Sequence, residues 1–427
     1  MYFKYKDNQL YWKDESLDSI NKHAQKILLK RYNYRGPYFL YHNDILEERL
    51  DILSGHFPES KLFYSVKSLS NIHILKKIRE KENFGIDVVS GGEILRGLQA
   101  GFPGSRMVYA GVGKTENEIV LGLQNGIKSF HVESLSEIQQ ISEIASILDI
   151  STQITIRLNP DIGVDTHEYI KTGKEENKFG ISERELAKAM RLISESDNLS
   201  IIGLQVHLGS QIMNIEPYLD GLEFLKEKAV AIESYLQEKL EYLSLGGGFG
   251  IDYDYIFSNE KGKNFPIEKL SKEINSQKLP WRVDFEPGRF LTGYTGILVS
   301  QIQYIKSKKG YDIAIIDSGM SELIRPALYK VSHPILPLNR SGSSQYEYDV
   351  VGPICESGDF FAKKHKMPIV EEKDFLAVLH TGAYSSVMSS NYNSRPLIPE
   401  LFITDIGLKV IRRPQRPEEL YHLEEDI

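Results

Sequence analysis

Between residues 61 and 286 the chain alternates short apolar or β-branched runs with stretches of helical periodicity, and this alternation constrains its fold more than any other feature. The runs fall at 61–67, 85–89, 107–110, 129–132, 153–158, 202–208, 241–245 and 282–286. Strands separated by helices pair in parallel, because a parallel neighbour is reached only through a long crossover. Helix starts are legible as well. Thr115-Glu116-Asn117-Glu118, Ser134-Leu135-Ser136-Glu137 and Ser182-Glu183-Arg184-Glu185 each read as a capping box, in which the first and fourth residues exchange hydrogen bonds. After Ser134, the residues Leu135, Ile138, Ile141, Ile144 and Leu148 share one helical face. The expected fold class is α/β, with a (β/α)8 TIM-like barrel over residues 44–289. A doubly wound open sheet is the competing architecture, since periodicity does not say whether the first strand meets the last.

The pattern changes after Arg289. Segments 295–305, 311–317, 346–351, 375–379, 401–404 and 408–411 are strand-like, with few helical stretches between them. They predict a mostly antiparallel β domain over 290–427, joined by residues 1–43 through the strand-like segment 37–41. The net charge of −8 and the lack of a basic block argue against a nucleic-acid partner. No run approaches the ~18 apolar residues of a membrane span, so no membrane partner is expected. The charged N-terminus leads into no apolar segment, and the single cysteine excludes an intrachain disulfide; both suit a cytoplasmic protein. No His/Cys/Asp cluster has ligand spacing, so no metal is expected.

Barrel active sites form at the C-terminal ends of the strands, and the unusual residues of this chain lie there. Lys67 closes the first run, where an amine turned into a site becomes a carbonyl nucleophile, although a strand-end lysine reaching solvent is the ordinary alternative. Asp87 sits within the second run, although carboxylates are depleted in strands. Ser90 and Glu93 after it read as a helix cap. The fifth run ends Arg157-Leu158-Asn159-Pro160, and Lys178-Phe179-Gly180 follows a polar loop. His207 lies in Gln205-Val206-His207-Leu208-Gly209-Ser210-Gln211, either as a core histidine or as a flat ring against an aromatic cofactor. Gly246-Gly247-Gly248-Phe249-Gly250 follows the seventh run, where glycine frees N–H groups to face an anion. The eighth run ends Glu286-Pro287-Gly288-Arg289. An amine, a phosphate cradle, a stacking ring and a carboxylate aimed at a ring nitrogen together describe a site for pyridoxal 5'-phosphate. Further along, Gly352-Pro353-Ile354-Cys355-Glu356-Ser357-Gly358-Asp359 sets a thiol proton donor beside a cation-binding carboxylate in a glycine-bounded loop.

Ten segments carry a resemblance, in order: YSVKSLSN, GIDVVSGGE, RLNPDI, YIKTGKEENKFGI, GLQVHLGSQI, LGGGFGI, EPGR, GMSELIRPALY, VVGPICESGD and GAYSSVMSSNYNSRP. On them the chain resembles the fold-type III pyridoxal-phosphate-dependent amino-acid decarboxylases, from about residue 36 to 411. The resemblance implies that Lys67 bonds the cofactor and that Asp87, His207, Ser210, Gly247, Gly248, Glu286, Gly288, Arg289 and Tyr384 hold it. His207 would stack on the ring, and Glu286 would pair with the pyridine nitrogen. It also implies that Arg289, Arg325, Tyr329, Glu356, Ser357 and Tyr384 bind a small amino-acid substrate. Cys355 would protonate the carbon that loses carbon dioxide. Cys355 and Glu356 would reach the other subunit's site in a homodimer.

Three segments depart from the family pattern. Ser65 stands where alanine is usual, Ser68-Leu69 where Ala-Asn is usual, and GMSE replaces a GMND-like run at 319–322. Glu356, where ornithine-type relatives carry aspartate, and the second cation Arg325 imply meso-2,6-diaminopimelate as substrate, with L-lysine and carbon dioxide as products. Open alternatives are a sister decarboxylase acting on carboxynorspermidine, an ornithine- or arginine-type substrate, or a siderophore or antibiotic intermediate. A racemase-like activity is disfavoured, because that family places arginine opposite the ring nitrogen. A non-catalytic regulatory homologue is the alternative from another class; such proteins lose cofactor-binding groups, and none is lost here.

Overall fold

All eight runs become neighbouring strands of one parallel sheet. The computed structural model describes residues 2–160, 178–257, 264–342 and 344–425. Strands β1 (Leu62–Ser65), β2 (Phe84–Val88), β3 (Met107–Tyr109), β4 (Ser129–Val132), β5 (Thr152–Arg157), β6 (Leu199–Gln205), β7 (Tyr242–Ser244) and β8 (Arg282–Asp284) lie side by side in chain order. The last strand then meets the first. The N–H of Phe63 donates to the Phe285 carbonyl at 2.8 Å and that of Ser65 to the Pro287 carbonyl at 3.0 Å. Leu62 and Phe285 form a parallel bridge. The sheet is therefore a closed barrel, and the open-sheet alternative falls.

The strands stop earlier than the apolar runs. β1 ends at Ser65, and Val66–Ser68 form a 3₁₀ turn in which the Ser68 hydroxyl donates to the Ser65 carbonyl at 2.9 Å. Lys67 therefore rides on a turn rather than closing a strand. His207 and Glu286 each lie two residues past their strands. Glycine and proline explain the last case, because Pro287 has no N–H to continue a ladder and Gly288 follows it.

Two of the three predicted capping boxes are complete, at Thr115/Glu118 and Ser182/Glu185. At the third, Ser134 takes the Glu137 N–H at 3.2 Å, but the Glu137 carboxylate turns inward to the Glu133 N–H (2.8 Å) and Lys114 Nζ (2.5 Å). The helix that follows, Leu135–Leu148, buries Ile138, Ile141 and Ile144, while Leu135 and Leu148 stay half-buried. The barrel core includes an aromatic cluster. Phe249 stacks on Phe265 at 4.8 Å and Phe57 meets Phe285 at 4.5 Å, contacts worth ~0.5–1.5 kcal/mol each beyond area burial.

Two compact units emerge: Arg49–Ile251 with Asn264–Phe290, and Met1–Glu48 with Asp252–Lys263 and Leu291–Ile427. The second unit holds a nine-stranded sheet in which Tyr38–His42 lies between Gly296–Lys308 and Glu400–Thr404. The N-terminal segment thus joins the C-terminal sheet, as expected. Most pairs are antiparallel, but Tyr38–His42 runs parallel to Glu400–Thr404, and Tyr311–Ile316 runs parallel to Gln345–Val351. A small three-stranded sheet (Phe3–Lys6, Gln9–Trp12, Glu15–Ser16) and the helix Leu17–Tyr32 precede it and had no clear sequence signal. Among the described residues no helix is long and apolar enough to cross a membrane.

Glu118 ties two barrel helices at their starts. Its carboxylate accepts from the Thr115 N–H (3.1 Å), the Thr115 hydroxyl (2.8 Å) and the Gly91 N–H (2.8 Å). Burial pushes its pKa up, but the Gly91 and Thr115 donors outweigh that and leave it below its ordinary value. A depressed carboxylate stabilises the fold above its unfolded pKa and loses that contribution as pH falls through the folded value. Glu118→Gln should lower the unfolding free energy by about 1 kcal/mol at neutral pH. Denaturant titrations should show the deficit shrinking in acid, and a deficit that stays constant down to acid pH would contradict this.

Candidate active site

The turn after β1 places Lys67 Nζ 3.2 Å from Asp87 Oδ2, on β2. The Asp87 side chain is fully buried, whereas that of Lys67 is 39% exposed, so the amine joins a buried anion to the open mouth of the barrel. The Ser65 hydroxyl lies between Asp87 Oδ2 (3.0 Å) and the Glu286 carbonyl (2.9 Å), linking the ends of β1, β2 and β8.

Glu286 is buried with one neutral donor on each oxygen. The Ser244 hydroxyl meets Oε1 at 2.7 Å and the Gln205 amide meets Oε2 at 2.8 Å. His131 Nδ1 stands 3.6 Å from Oε1. Burial pushes Glu286 above the ordinary carboxylate range, and Ser244, Gln205 and the Lys67 charge pull it back. Burial also raises Asp87; Lys67 opposes that and Glu286 adds to it. His131 is pushed down to about 3, chiefly by burial, and is neutral. Buried Asp87 Oδ1 and Gln205 Oε1 have no hydrogen-bond partner among the described residues, which leaves acceptor capacity beside both carboxylates.

His207 is also neutral, because burial, then the charges of Arg157 and Lys67, hold it well below its ordinary pKa. Its Nδ1 accepts the Gly247 N–H at 3.3 Å, which puts the ring proton on Nε2. That N–H holds the imidazole rather than facing an anion, a different use of the triple-glycine run from the one its sequence suggests. Gly246 and Gly248 have φ of +68° and +95°. A Cβ on Gly247 would sit 2.2 Å from the Glu286 carbonyl, so a side chain there is excluded. Arg289 is buried, and its Nη2 donates to the Ser210 hydroxyl at 3.0 Å. Gly288 packs close to Ser65 and Ser68.

Arg157, at the end of β5, pairs with Glu133 at 2.8 Å and lies over the Phe179 ring at 4.7 Å. Glu133 also accepts the N–H groups of Gly111 (3.0 Å) and Gly180 (3.2 Å). Most of the motif YIKTGKEENKFGI, and the end of RLNPDI, lie outside the described residues.

The second unit holds the remaining candidates. Arg325 is buried; its Nε donates to His333 Nε2 and its Nη2 to the Tyr253 hydroxyl, both at 3.3 Å, and its guanidinium lies 5.8 Å from the Tyr329 ring. Cys355, Glu356 and Ser357 form an exposed loop. The Cys355 N–H donates to Asn393 Oδ1 at 3.1 Å, and Glu356 Oε1 accepts the Ser357 N–H at 2.9 Å. Asp359 holds the loop base through the N–H groups of Ile354 and Met320. Tyr384 takes the left-handed backbone conformation, at φ +56°.

Among the candidates of the barrel unit, Lys67, Asp87 and Glu286 are thus linked into one cluster, His207 is joined to Gly247, and Ser210 to Arg289. Sequence reasoning missed the anchors Ser244 and Gln205, and also His131. Their signal was weak but real: Gln205 and Ser244 are polar residues ending apolar strands, and His131 interrupts one. The amine, the doubly anchored carboxylate, the neutral imidazole and the Arg289–Ser210 pair fit a pyridoxal phosphate. Among the described residues no cluster of metal-ligating side chains occurs.

Residues 43–293 match the family model for the pyridoxal-dependent decarboxylase, pyridoxal binding domain. Over its full length the chain is 36% identical to the diaminopimelate decarboxylase of Aquifex aeolicus, covering 98% of that relative. It is also 36% identical to that of Haemophilus influenzae, covering all of both chains. Among solved structures, diaminopimelate decarboxylase from Helicobacter pylori complexed with L-lysine superposes with a TM-score of 0.86 at 35% identity, covering 94% of this chain and 99% of that one. Lysine/ornithine decarboxylase from Vibrio vulnificus, at 20% identity and a TM-score of 0.76, shares the fold.

The cluster predicts where a carbonyl reagent attaches. Borohydride reduction in the presence of pyridoxal phosphate should fix the label on Lys67, located by peptide mass. A label on another lysine, or undiminished labelling of Lys67→Ala, would contradict the assignment.

Proposed function

The chain belongs to the pyridoxal-dependent decarboxylases, and from that premise we propose how its residues divide the work of converting meso-2,6-diaminopimelate to L-lysine and carbon dioxide. It is a carboxy-lyase that uses pyridoxal 5'-phosphate. The observation that carries the assignment of roles is the Glu286 carboxylate, buried and doubly anchored at the same end of the barrel as Lys67.

Bound pyridoxal phosphate supplies an electron-accepting ring that holds the charge left as carbon dioxide departs. Lys67 would provide the amine that bonds it, and Asp87, 3.2 Å from the free amine, would orient it. Glu286 holds a proton on the ring nitrogen, while Ser244 and Gln205 stop its oxygens from turning away. His207 offers a neutral flat ring for stacking, fixed by the Gly247 N–H. Ser210, Arg289 and the backbone at Gly248 and Gly288 take the phosphate, with Tyr384 bordering it.

Arg325 takes the substrate's distal carboxylate, with Tyr329 at its side and Arg289 as a further cation. Glu356 takes the distal ammonium, next to Ser357. The Cys355 thiol donates its Sγ proton to the carbon that has lost carbon dioxide. Exposure of the Cys355–Ser357 loop supports its insertion into a second copy of the chain, giving a homodimer with shared sites.

A site built to bind a distal carboxylate rejects analogues that lack it, so substrates without that group should be rejected by ~10⁴-fold or more. A panel of diaminopimelate, lysine, ornithine, arginine and carboxynorspermidine, followed by carbon dioxide release, tests this. Preference for any of the last four would overturn the substrate assignment. Cys355→Ala should keep the bound cofactor's visible band and lose ~10²–10⁴-fold in turnover, the ordinary worth of a general acid. Mixing inactive Lys67→Ala with inactive Cys355→Ala should restore activity if sites are shared; no recovery after subunit exchange would remove the dimer reading.

A further inference from the structure

Arg325 is a buried guanidinium that donates a hydrogen bond to a histidine. Its Nε donates to His333 Nε2 at 3.3 Å, and His333 is 2% exposed. The other ring nitrogen, Nδ1, lies 2.9 Å from the Leu379 carbonyl. A carbonyl only accepts, so Nδ1 carries the proton and Nε2 presents its lone pair. The imidazole thus relays a hydrogen bond from the main chain at Leu379, next to the strand Phe375–Val378, to the guanidinium. The ring is braced in turn: Tyr253 meets it edge-on at 5.2 Å, and the Tyr253 hydroxyl accepts from Arg325 Nη2 at 3.3 Å. Together the two bonds occupy the Nε/Nη2 edge of the guanidinium. That fixes its plane and the direction of its Nη1/Nη2 end, the end suited to bidentate carboxylate binding.

We propose that His333, in its neutral form protonated on Nδ1, is the positioning residue that aims Arg325 at the substrate's distal carboxylate and so sets selectivity for a dicarboxylic diamino acid. The proposal deepens the reading of Arg325 given above and rests on it. Leucine at 333 would remove the acceptor that the imidazole offers to the Nε–H and so weaken the hold on the plane of the guanidinium. A protonated imidazole would do worse, since it would turn an N–H toward a cation. Arg325 starts the short helix Arg325–Tyr329, and His333 lies eight residues on, past the helix end at Lys330, where the backbone turns left-handed at φ +56°. That reversal brings the chain back beneath its own arginine.

The test compares cofactor-loaded His333→Leu, His333→Asn, His333→Gln, Arg325→Ala and the double variant His333→Leu/Arg325→Ala. Loss of a hydrogen bond to a charged group should raise KM for diaminopimelate about tenfold or more in His333→Leu, with kcat within about threefold. The visible spectrum of the bound cofactor should not change. His333→Asn stays polar but is too short to reach Nε, and should show the same KM rise, so the test does not depend on the leucine variant folding. His333→Gln, whose amide oxygen can accept the Nε bond, should recover most of the loss. The double variant should be no worse than Arg325→Ala alone. An unchanged KM in His333→Asn, or His333→Leu and Arg325→Ala effects that add in full, would overturn the positioning role while leaving Arg325 as the ligand. An unchanged KM in Arg325→Ala would instead overturn the reading of Arg325 itself, and the proposal with it.

Discussion

Closure of the barrel between its first and last strands is the contact on which the site depends. In an open sheet β8 would lie seven strands away from β1. Closed, it brings the Glu286 carbonyl within 2.9 Å of the Ser65 hydroxyl, and Ser65 in turn touches Asp87. Two carboxylates, Asp87 and Glu286, are then buried at one end of the barrel. Removing a charge from water costs several kcal/mol unless partners replace the solvent. Ser244 and Gln205 do so for Glu286, and Ser65 and Lys67 for Asp87. The amine is therefore held where it can act on a carbonyl, and the acid where it can meet a basic ring nitrogen.

Neutral rings complete this arrangement. Burial keeps both His131 and His207 uncharged, so neither adds a cation that would compete with Lys67 for the carboxylates. His207 accepts from Gly247, and the glycine is required there because a Cβ would collide with the Glu286 carbonyl. The triple-glycine run thus serves packing between adjacent strand ends as much as ligand access. In the second unit another buried cation, Arg325, lies beside Tyr253, Tyr329 and His333.

Much of this was legible in the sequence, for identifiable reasons. Strands of a covered parallel sheet are nearly continuous apolar runs, and each of the eight runs contains most of an observed strand. Their ends were misread because the turns at Val66–Ser68 and after Gln205 continue the apolar composition of the strand. Lys67 and Asp87 stood out as charges in apolar runs, and Glu286 as a carboxylate closing the last one. Ser244 and Gln205 did not, because a serine or glutamine at a strand end is unremarked until the barrel closes and turns it toward Glu286. The strands Phe3–Lys6, Gln9–Trp12 and Glu15–Ser16 are too short to show a period. The two parallel pairs of the second sheet were invisible because alternation along a strand says nothing about the direction of its neighbour. The Ser65 substitution, a departure from the family pattern, is explained by the two acceptors its hydroxyl reaches.

The central claim is that Glu286, just past the last barrel strand, keeps a proton on the ring nitrogen of a cofactor bonded to Lys67, just past the first. Nitrogen-15 NMR of the enzyme loaded with ring-labelled pyridoxal phosphate measures that proton directly. The account predicts a protonated ring nitrogen at neutral pH in the wild type and an unprotonated one in Glu286→Gln. An unprotonated nitrogen in the wild type, or one that Glu286→Gln leaves unchanged, would contradict it.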